Sequence, residues 1–293
     1  MSAAQAQSDS ASWLAGRFEP VKLLGSGVSA SVHAAIDHQE NRWVALKLRA
    51  RPASGSRAVQ TELQARLAAE GQQLQALCHP DIVTVFDFGT LADGRAWLAM
   101  QLVPGCDLTR YTQRQHLLPE PLVLHIGERL ALALAHAHAA GVVHRDIKPA
   151  NVLVHWPSDT LKIVDFGLSR SADGQATGTG LILGTPHYMA PELLAGAVPD
   201  AASDFYALGA LLFQLLSGRL PFEAQNLGEL LQQVSREAAP DLRQHRPDIP
   251  EALAQTVAAL LESHAPRRLT DGAHMARRLH ALRQAWPAPK GAR

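Results

Sequence analysis

The sequence predicts an α+β protein in which a small β-rich lobe is joined, at about residues 101–105, to a larger α-helical lobe. Strand-like apolar patterns dominate the chain before Pro104, and helical spacing of apolar residues dominates it afterwards. With 293 residues, of which 47% are hydrophobic, the chain is long enough to bury a large core and to divide into two lobes.

The first lobe is predicted to contain strands and one main helix. Strand patterns occur in FEPVKLLGSG, SASVHAAID and RWVALKLRA, and later in IVTVFDFG and RAWLAMQLV. Between these two groups, residues 58–77 switch to helical spacing. One face of that helix carries a leucine stripe, made of Leu63, Leu67, Leu74 and Leu77.

The second lobe begins with PLVLHIGERLALALAHAHAAG, which predicts a helix that ends at Gly141, a common residue just past a helix C-terminus. Two short strands, NVLV and LKIVDFG, then flank a polar turn at Pro157–Asp159, and a loop rich in Gly and Thr occupies 170–185. Further helices are predicted at about 203–217, 226–236, 250–262 and 270–285.

The composition of the chain favours a cytoplasmic protein. Lys plus Arg and Asp plus Glu number 27 each, so no bulk charge indicates nucleic acid or an anionic membrane as a partner. Cys78 and Cys106 have no spacing typical of a disulfide framework or a zinc site, and they suit a reducing compartment. The longest apolar run, YALGALLFQLLSG, is too short and too interrupted to span a bilayer.

The ends of the chain differ from its two lobes. The polar start MSAAQAQSDSAS has neither the basic residues nor the apolar block of a secretory signal. We expect a disordered leader at 1–12, the two lobes at 13–103 and 104–285, and a flexible tail at 286–293.

Two glycines lie between the first two predicted strands, in LLGSGVSASVHAA. Gly25 and Gly27 would leave backbone N–H groups free to approach a phosphate, although a glycine pair in a hairpin is more often only a turn. No helix follows, which excludes a Rossmann arrangement, and the chain lacks the GxxxxGK[ST] pattern of a P-loop.

Lys47 lies on the third predicted strand, where Ala45 and Lys47 point to one face and their neighbours to the other. Two interpretations are open: Lys47 reaches into a ligand cavity, or it faces water from an edge strand. Glu70 favours the first, because it falls within the leucine stripe, where a buried carboxylate needs a cation or hydrogen bonds. If Glu70 lies at the margin of the stripe, it instead reaches solvent.

Three polar residues are concentrated in GVVHRDIKPANVLVHW, namely Asp146, Lys148 and Asn151. They fall on a loop between a helix and a hairpin, where a rigid scaffold can present them. The second hairpin strand ends in Asp165, so Asn151 and Asp165 are expected to lie close together and to suit Mg²⁺. Asp146 would accept a hydroxyl proton, and Lys148 would stabilise a phosphoryl group. The cluster predicts phosphoryl transfer to an alcohol.

Taken together, GSGVSASV, VALK, VHRDIKPAN, VDFG and MAPE resemble the signature set of eukaryotic-type protein kinases, in the family's order over about residues 18–285. The chain is similar to bacterial serine/threonine kinases of that family. The resemblance implies a bilobal kinase-like fold, with a small β-rich N-lobe that carries one main helix and a larger α-helical C-lobe. It also implies ATP and Mg²⁺ as cofactors.

The resemblance also implies how the nucleotide is held. Gly25 and Gly27 would cover the ATP phosphates, and Lys47, paired to Glu70, would bind the α- and β-phosphates. The residues implied to surround the adenine are Val32, Ala45, the gatekeeper Met100, the hinge residues Gln101 and Val103, and Leu153.

For the chemistry, the resemblance implies Asp146 as the catalytic base, Lys148 on the γ-phosphate, and Asn151 and Asp165 as the Mg²⁺ ligands. Lys148 and Thr185 match positions that distinguish serine/threonine kinases. The implied partners are therefore protein substrates with Ser or Thr acceptors.

Further positions match structural and regulatory residues of the family. Glu192 would pair with Arg268, and Asp204, which could be only a helix N-cap, would anchor the catalytic loop. Arg145 precedes Asp146, the form associated with activation-loop phosphorylation. Autophosphorylation of Thr177 or Thr179 would add a charge that pairs with Arg145, and would bring two copies together as a homodimer. The alternative is that both are ordinary loop threonines.

Three other features bear on the prediction. Ala30 replaces the third glycine of the family's pattern, which would weaken the nucleotide grip without abolishing it. His136 and His138 are two residues apart on a helix and point in different directions, so they predict no metal site. His144 is expected to pack against Phe166 in a structural role.

Two other classes of protein remain open. A pseudokinase-like scaffold that binds a partner protein would share the fold, but such proteins generally lose one of the key polar residues, all of which are present here. A small-molecule phosphotransferase would share the Asp and Asn pair but would lack the GTPHYMAPE segment as a platform for peptide.

Overall fold

A computed structural model describes residues 13–27, 30–50, 68–166, 186–224, 226–236 and 238–286. Thr177, Thr179 and Thr185 lie outside the described residues, as do Leu63 and Leu67. The described chain divides into two compact units. Of the described residues, the first unit holds those up to Cys78 together with Ile82–Pro104. The second holds His79–Asp81 and the described residues of 105–166 and 186–286.

The first unit is built on a five-stranded antiparallel sheet. Its strands are β1 (Phe18–Ser26), β2 (Ala30–Asp37), β3 (Arg42–Arg49), β4 (Val85–Thr90) and β5 (Ala96–Gln101). Their spatial order is β1-β2-β3-β5-β4, so β3 has a neighbour on each side. Lys47 therefore does not lie on an edge strand, and the water-facing alternative for this residue is wrong, since only 8% of it is exposed.

The two faces of this sheet differ, as the alternation in β3 predicts. One face carries a buried apolar cluster, whose members are Phe18, Ala35, Val44, Leu46, Leu48 and Ala99. Lys47 pairs in register with Val32 and Leu98, and Ala45 with Met100, so these residues share the opposite face. Lys47 therefore lies on the face of the sheet opposite the apolar cluster.

Residues 68–76 form helix α1, which bears Glu70. Leu74 and Leu77 are buried, as the leucine stripe predicts. Gly71 is buried against the Phe88 ring of β4, where an added Cβ would lie 2.5 Å from the ring. Glycine at this position lets α1 approach the sheet closely.

The second unit is mainly helical. Its helices are α2 (Glu120–Ala139), α3 (Pro191–Leu194), α4 (Ala201–Ser217), α5 (Leu227–Arg236), α6 (Glu251–Leu260) and α7 (Gly272–Gln284). Its strands are β6 (Cys106–Asp107), β7 (Val152–His155) and β8 (Thr160–Ile163), and β7 is central. The short α3 and β6 were not predicted, because neither is long enough to show a periodic pattern.

Helix α4 forms the centre of the second unit, since nearly all of its residues are buried. It begins at Ala201, two residues before the predicted start. The reason is a capping box, in which the Asp200 side chain accepts from the N–H of Ser203 and Ser203 reaches back to the N-cap backbone. Helix α2 ends at Ala139, and Gly141 follows with φ of 74°, a left-handed conformation that favours glycine.

Within the described parts of the chain, we find no helix long and apolar enough to cross a bilayer.

Candidate active site

The loop that carries Asp146 is held by a buried carboxylate on α4. Asp204 is 1% exposed, and its oxygens accept the backbone N–H groups of His144 and Arg145, both at 2.8 Å. A third contact, also 2.8 Å, joins Asp204 Oδ2 to Nε2 of His138 on α2. The N-cap of α4 is Asp200, not Asp204. Asp204 therefore lies within the first turn and is directed at the loop.

The backbone of this loop is strained where Asp204 holds it. Arg145 has φ of 72°, a left-handed conformation that a residue with a Cβ adopts at a cost of roughly 1–3 kcal/mol. Two hydrogen bonds to one buried carboxylate offset that cost, because bonds to charged groups contribute about 1.5–3 kcal/mol each. The α4 carboxylate thus determines the backbone geometry immediately before Asp146.

His144 connects this loop to the strand that precedes Asp165. Its ring is fully buried, its Nε2 donates to Val164 O at 2.9 Å, and its Nδ1 accepts the N–H of Asp146 at 3.2 Å. Burial lowers the pKa of His144 and keeps the ring neutral, which allows one nitrogen to donate while the other accepts. The ring packs edge-on against Phe166 with centroids 4.5 Å apart, as predicted.

Two polar residues of the loop, Lys148 and Asn151, converge on the carboxylate of Asp146. Asp146 Oδ2 accepts from Lys148 Nζ at 2.7 Å and from Asn151 Nδ2 at 3.0 Å. Asn151 Nδ2 also donates to Asp146 O at 2.7 Å, which turns its Oδ1 away from Asp146. The Asp146 side chain remains 29% exposed, so a substrate hydroxyl can reach it.

The β7–β8 hairpin brings the two oxygen donors together, as the sequence predicts. Val152 pairs with Ile163, and the N–H of Val164 donates to Asn151 O at 2.9 Å, so the pairing continues one residue past the strands. Asp165 follows with φ of 62°. Asn151 and Asp165 thus flank the same end of one hairpin.

The donor set at this end of the hairpin suits Mg²⁺. Across the described ranges, no cluster of three or more His, Cys, Asp or Glu side chains is placed to hold a metal by itself. Mg²⁺ in phosphoryl-transfer sites uses one or two protein carboxylates and completes its shell with waters and substrate phosphates. One amide oxygen from Asn151 and one carboxylate from Asp165 fit that pattern.

Beside Asp146 lies a small pocket lined by Arg145, Tyr188, Met189 and Leu193, among others. The Tyr188 hydroxyl donates to the side-chain oxygen of Gln214, and burial raises the pKa of Tyr188. Arg145 Nε is buried and has no hydrogen-bond partner among the described residues. The segment around Tyr188 therefore forms one wall of the space next to the proposed base.

An ion pair fixes the far end of that segment. Arg268 donates from both Nη atoms to Glu192, at 2.6 and 3.0 Å, and also to the carbonyl of Ala202 at 2.8 Å. The Arg268 side chain is fully buried, so the bidentate pair ties α3 to the start of α4.

In the first unit, the glycine pair lies at the β1–β2 hairpin. Gly25 pairs with Val32, and Gly27 N–H donates to Ala30 O at 2.8 Å. A Cβ at Gly25 would meet nothing within 4 Å, and one at Gly27 only Ala30 O at 3.9 Å. Neither glycine has a positive φ. The fold alone therefore does not require glycine at either position.

Glu70 on α1 is partly buried, and its Oε2 atom accepts no hydrogen bond from the described residues. The pairing of Glu70 with Lys47 stays a prediction. Lys47 does make a polar interaction in the structure. A buried carboxylate oxygen with no donor is unfavourable, since leaving one unsatisfied costs several kcal/mol in an apolar setting. This orphan oxygen can accept a further hydrogen bond.

The residues predicted to surround adenine are split between the units. In the first unit, Val32, Ala45 and Met100 share the Lys47 face of the sheet, and Gln101 N–H donates to Thr84 O at 2.9 Å. Val103 follows β5, and Leu153 in the second unit is half-buried on β7.

Sequence reasoning did not identify three residues that support this site. His138 was considered only as a metal ligand, and Asp81 and Arg129 were not singled out. Arg129 offered a weak signal, because it is one of two adjacent charged residues, with Glu128, in a predicted helix that is otherwise mainly apolar. For Asp81 no sequence pattern would have sufficed, since its partner lies 48 residues away.

The fold and site define the class of protein. The structure resembles the crystal structure of the Mycobacterium tuberculosis PknI kinase domain, with a TM-score of 0.69 and 27% identity, covering 90% of this chain and 95% of that one. The bilobal α+β kinase-like fold predicted from the sequence is confirmed.

Comparison of sequences leads to the family itself. The protein kinase domain family matches residues 18–285, and the chain belongs to that family. It is 38% identical over 268 residues to the DNA damage-responsive serine/threonine-protein kinase RqkA of Deinococcus radiodurans, covering 90% of this chain and 39% of that protein. It is 32% identical over 245 residues to the serine/threonine-protein kinase PrkC of Bacillus subtilis, covering 83% and 37%. The chain thus spans about two fifths of the length of these relatives. Kinases of this family use ATP and a divalent metal, generally Mg²⁺.

Proposed function

We propose that this chain is an ATP-dependent protein kinase that transfers the γ-phosphate of Mg-ATP to Ser and Thr hydroxyls of protein substrates. The observation that carries the proposal is the convergence of Lys148 and Asn151 on Asp146, in a loop whose backbone is held by the buried Asp204. A carboxylate fixed in this way, yet still exposed, can orient an acceptor hydroxyl and accept its proton.

The roles of the second-unit residues follow from their contacts. Asp146 would hold the acceptor hydroxyl. Lys148, whose Nζ lies 2.7 Å from Asp146 Oδ2, would donate to an oxygen of the transferring phosphoryl group. Asn151 and Asp165 would hold Mg²⁺, which supplies positive charge to the phosphates when bound. Thr185 would contact Asp146 from the peptide side.

The first-unit residues would bind the nucleotide. Gly25 and Gly27 have open space beside their backbones, which leaves room for phosphate oxygens. Lys47 would pair with Glu70, whose orphan Oε2 can accept a further hydrogen bond, and would bind the α- and β-phosphates. The adenine would contact the five residues described above on β2, β3, β5 and the hinge, and the family resemblance adds Leu153 to this set.

Regulation through the activation loop is part of the proposal. Arg145 has a buried Nε with no partner among the described residues, so a phosphate on Thr177 or Thr179 would find a cation there. Autophosphorylation in trans would require a transient homodimer. Mass mapping after incubation with ATP should find phosphate on Thr177 or Thr179; a fully active enzyme with both threonines unmodified would contradict the proposed autophosphorylation.

We also propose a cytoplasmic location, since Cys78 and Cys106 are both free thiols.

Neither alternative class has an observation in its favour. A pseudokinase-like scaffold would not need an intact and hydrogen-bonded Asp146 cluster. A small-molecule phosphotransferase would not need the segment that Glu192 and Arg268 fix beside the pocket.

The test is transfer of labelled phosphate from ATP to myelin basic protein in the presence of Mg²⁺. Asp146→Asn should lower kcat by about 10²–10⁴-fold, because it removes the proton acceptor. The matched control is Asp248→Asn, whose carboxylate also pairs with a cation but is 64% exposed; it should retain wild-type transfer. Phosphoserine and phosphothreonine should be the products. Equal transfer by wild type and Asp146→Asn would overturn the proposal.

A further inference from the structure

Residues 79–81 form part of the second unit, although the chain on either side of them belongs to the first. Asp81 O accepts the N–H of Ile163, the last residue of β8, at 2.8 Å. That N–H points away from β7, because the neighbouring pair Asn151 and Val164 makes the inter-strand bond. Strand β8 is therefore held on both of its edges, by β7 and by Asp81.

A single guanidinium on α2 ties this arrangement together. Arg129 Nε donates to Asp81 Oδ1 at 3.0 Å, and its Nη2 contacts the same oxygen. Its Nη1 donates to both the backbone oxygen and Oδ1 of Asp159, at 3.0 and 3.1 Å, in the turn between β7 and β8. Arg129 thus contacts the hairpin at its turn and, through Asp81, at the end that leads to Asp165.

The Arg129–Asp81 pair in this cluster is largely buried, whereas the Asp159 side chain is 77% exposed. Asp81 is 5% exposed, and the Arg129 side chain is 18% exposed. A buried pair of this kind is directional, because the arginine fork fixes both partners at once, and lysine cannot reproduce it. A surface ion pair, by contrast, would contribute little to geometry.

We propose that Arg129 and Asp81 are positioning residues for the metal ligands Asn151 and Asp165, an inference that rests on the proposed function. Asp165 lies two residues beyond Ile163, where it has left the sheet with a left-handed backbone. Its position depends on where β8 ends. Partners that orient metal ligands typically change metal affinity 10–100-fold when removed, although they touch neither metal nor substrate.

The experiment measures metal coupling rather than activity alone. Calorimetric titration gives the affinity for ADP with and without Mg²⁺, and the ratio of the two reports how well the protein holds the metal. Arg129→Met should reduce that ratio by about tenfold, with metal-free ADP affinity within about twofold of wild type. Arg129→Lys keeps the charge but loses the fork, and should give most of the same reduction. Hydrogen exchange at the Ile163 amide should accelerate in both variants.

Arg283→Met is the matched control. Arg283 on α7 pairs with Glu128, the neighbour of Arg129 on α2, and its side chain is 29% exposed. It contacts Glu128 and His280, not the β7–β8 hairpin. This variant should leave the coupling ratio unchanged even if its Tm falls. A normal ratio in both folded Arg129 variants, with an active Mg²⁺-dependent wild type, would overturn the positioning role while leaving the kinase function intact. A wild type whose ADP affinity is indifferent to Mg²⁺ would overturn both.

Discussion

The N–H of Arg145 donates to Oδ1 of Asp204 at 2.8 Å, which joins the residue before Asp146 to a carboxylate that is 1% exposed. The same carboxylate accepts the N–H of His144. A residue on α4, 58 positions beyond Asp146, thereby determines how the proposed base is presented.

Replacing Asp204 with Ala should therefore impair both folding and transfer. Two buried N–H donors would lose their acceptor, each at about 1–3 kcal/mol, and the strained backbone of Arg145 would relax. We expect a lower midpoint in urea unfolding, and a fall in kcat larger than any change in KM for ATP. Asp200→Ala, which removes only the α4 N-cap, is the control: a similar loss of stability with normal kcat would separate the two effects. Unchanged kcat in folded Asp204→Ala would contradict the prediction.

Removal of the Lys148 ammonium should act on the chemical step. Lys148→Met should lower kcat by roughly 10²–10³-fold, the usual loss when one donor to a developing charge is removed. The Lys148 side chain is only 20% exposed, but Met conserves most of the volume of its apolar stem, so the loss of stability should stay small beside the loss of kcat. Steady-state kinetics with varied ATP and varied peptide would measure this, and a change confined to KM would show that Lys148 only binds substrate.

Gly71→Ala should displace the helix that carries Glu70. The new methyl would lie 2.5 Å from the Phe88 ring, and overpacking of this kind costs about 1–3 kcal/mol. We expect a lower Tm and lower kcat/KM for ATP. The double variant with Phe88→Ala, which removes the ring atoms that the methyl would contact, should recover kcat/KM for ATP. Gly228→Ala on the exposed side of α5 is the helical control and should be neutral or slightly stabilising.

Glu192→Gln should be strongly destabilising. The Arg268 side chain is fully buried, so loss of the carboxylate leaves a buried charge without its counter-ion, at about 3–5 kcal/mol. Asp248→Asn removes an exposed partner of Arg246 and should cost less than about 1 kcal/mol. Urea unfolding followed by tryptophan fluorescence measures both, and equal effects of the two substitutions would contradict the expectation.

His144 should make the protein sensitive to mild acid. Burial lowers its pKa below the ordinary value of 6.5, so the unfolded chain takes up a proton that the folded chain resists. The stability from neutral His144 is complete above pH 6.5 and is lost as pH falls through that value, at up to about 1.4 kcal/mol per pH unit. Burial lowers the pKa of His79 in the same direction. The free energy of unfolding of the His144→Gln variant should decline less steeply between pH 7 and pH 5 than that of the wild type. Because both proteins contain His79, its contribution cancels when the two pH profiles are subtracted. Parallel pH profiles would contradict this.

Much of the site could be predicted because its residues are close in sequence. Asp146, Lys148 and Asn151 fall within six residues, and the hairpin that follows brings Asp165 near them through a single turn. Alternation along β3 likewise placed Ala45 and Lys47 on one face. Such local patterns depend on backbone periodicity, which a sequence displays directly.

Predictions that needed a second segment were less successful. The edge-strand alternative for Lys47 arose because strand order is not visible in a sequence, whereas the sheet has β5 beside β3. Asp204 was open to an N-cap interpretation because the competing cap, Asp200, has the same chemistry four residues earlier.

By itself, the sequence determined the α+β class, the family, and the polar residues that the proposed chemistry needs, because each is written in short motifs or in the period of a strand or helix. Only the tertiary structure decided what holds those residues in place. Asp204 with His138, and Arg129 with Asp81, meet across 66 and 48 positions of the chain. Such pairs form because a buried charge must find a partner wherever the packing of helices brings one within reach, and no local pattern records that requirement.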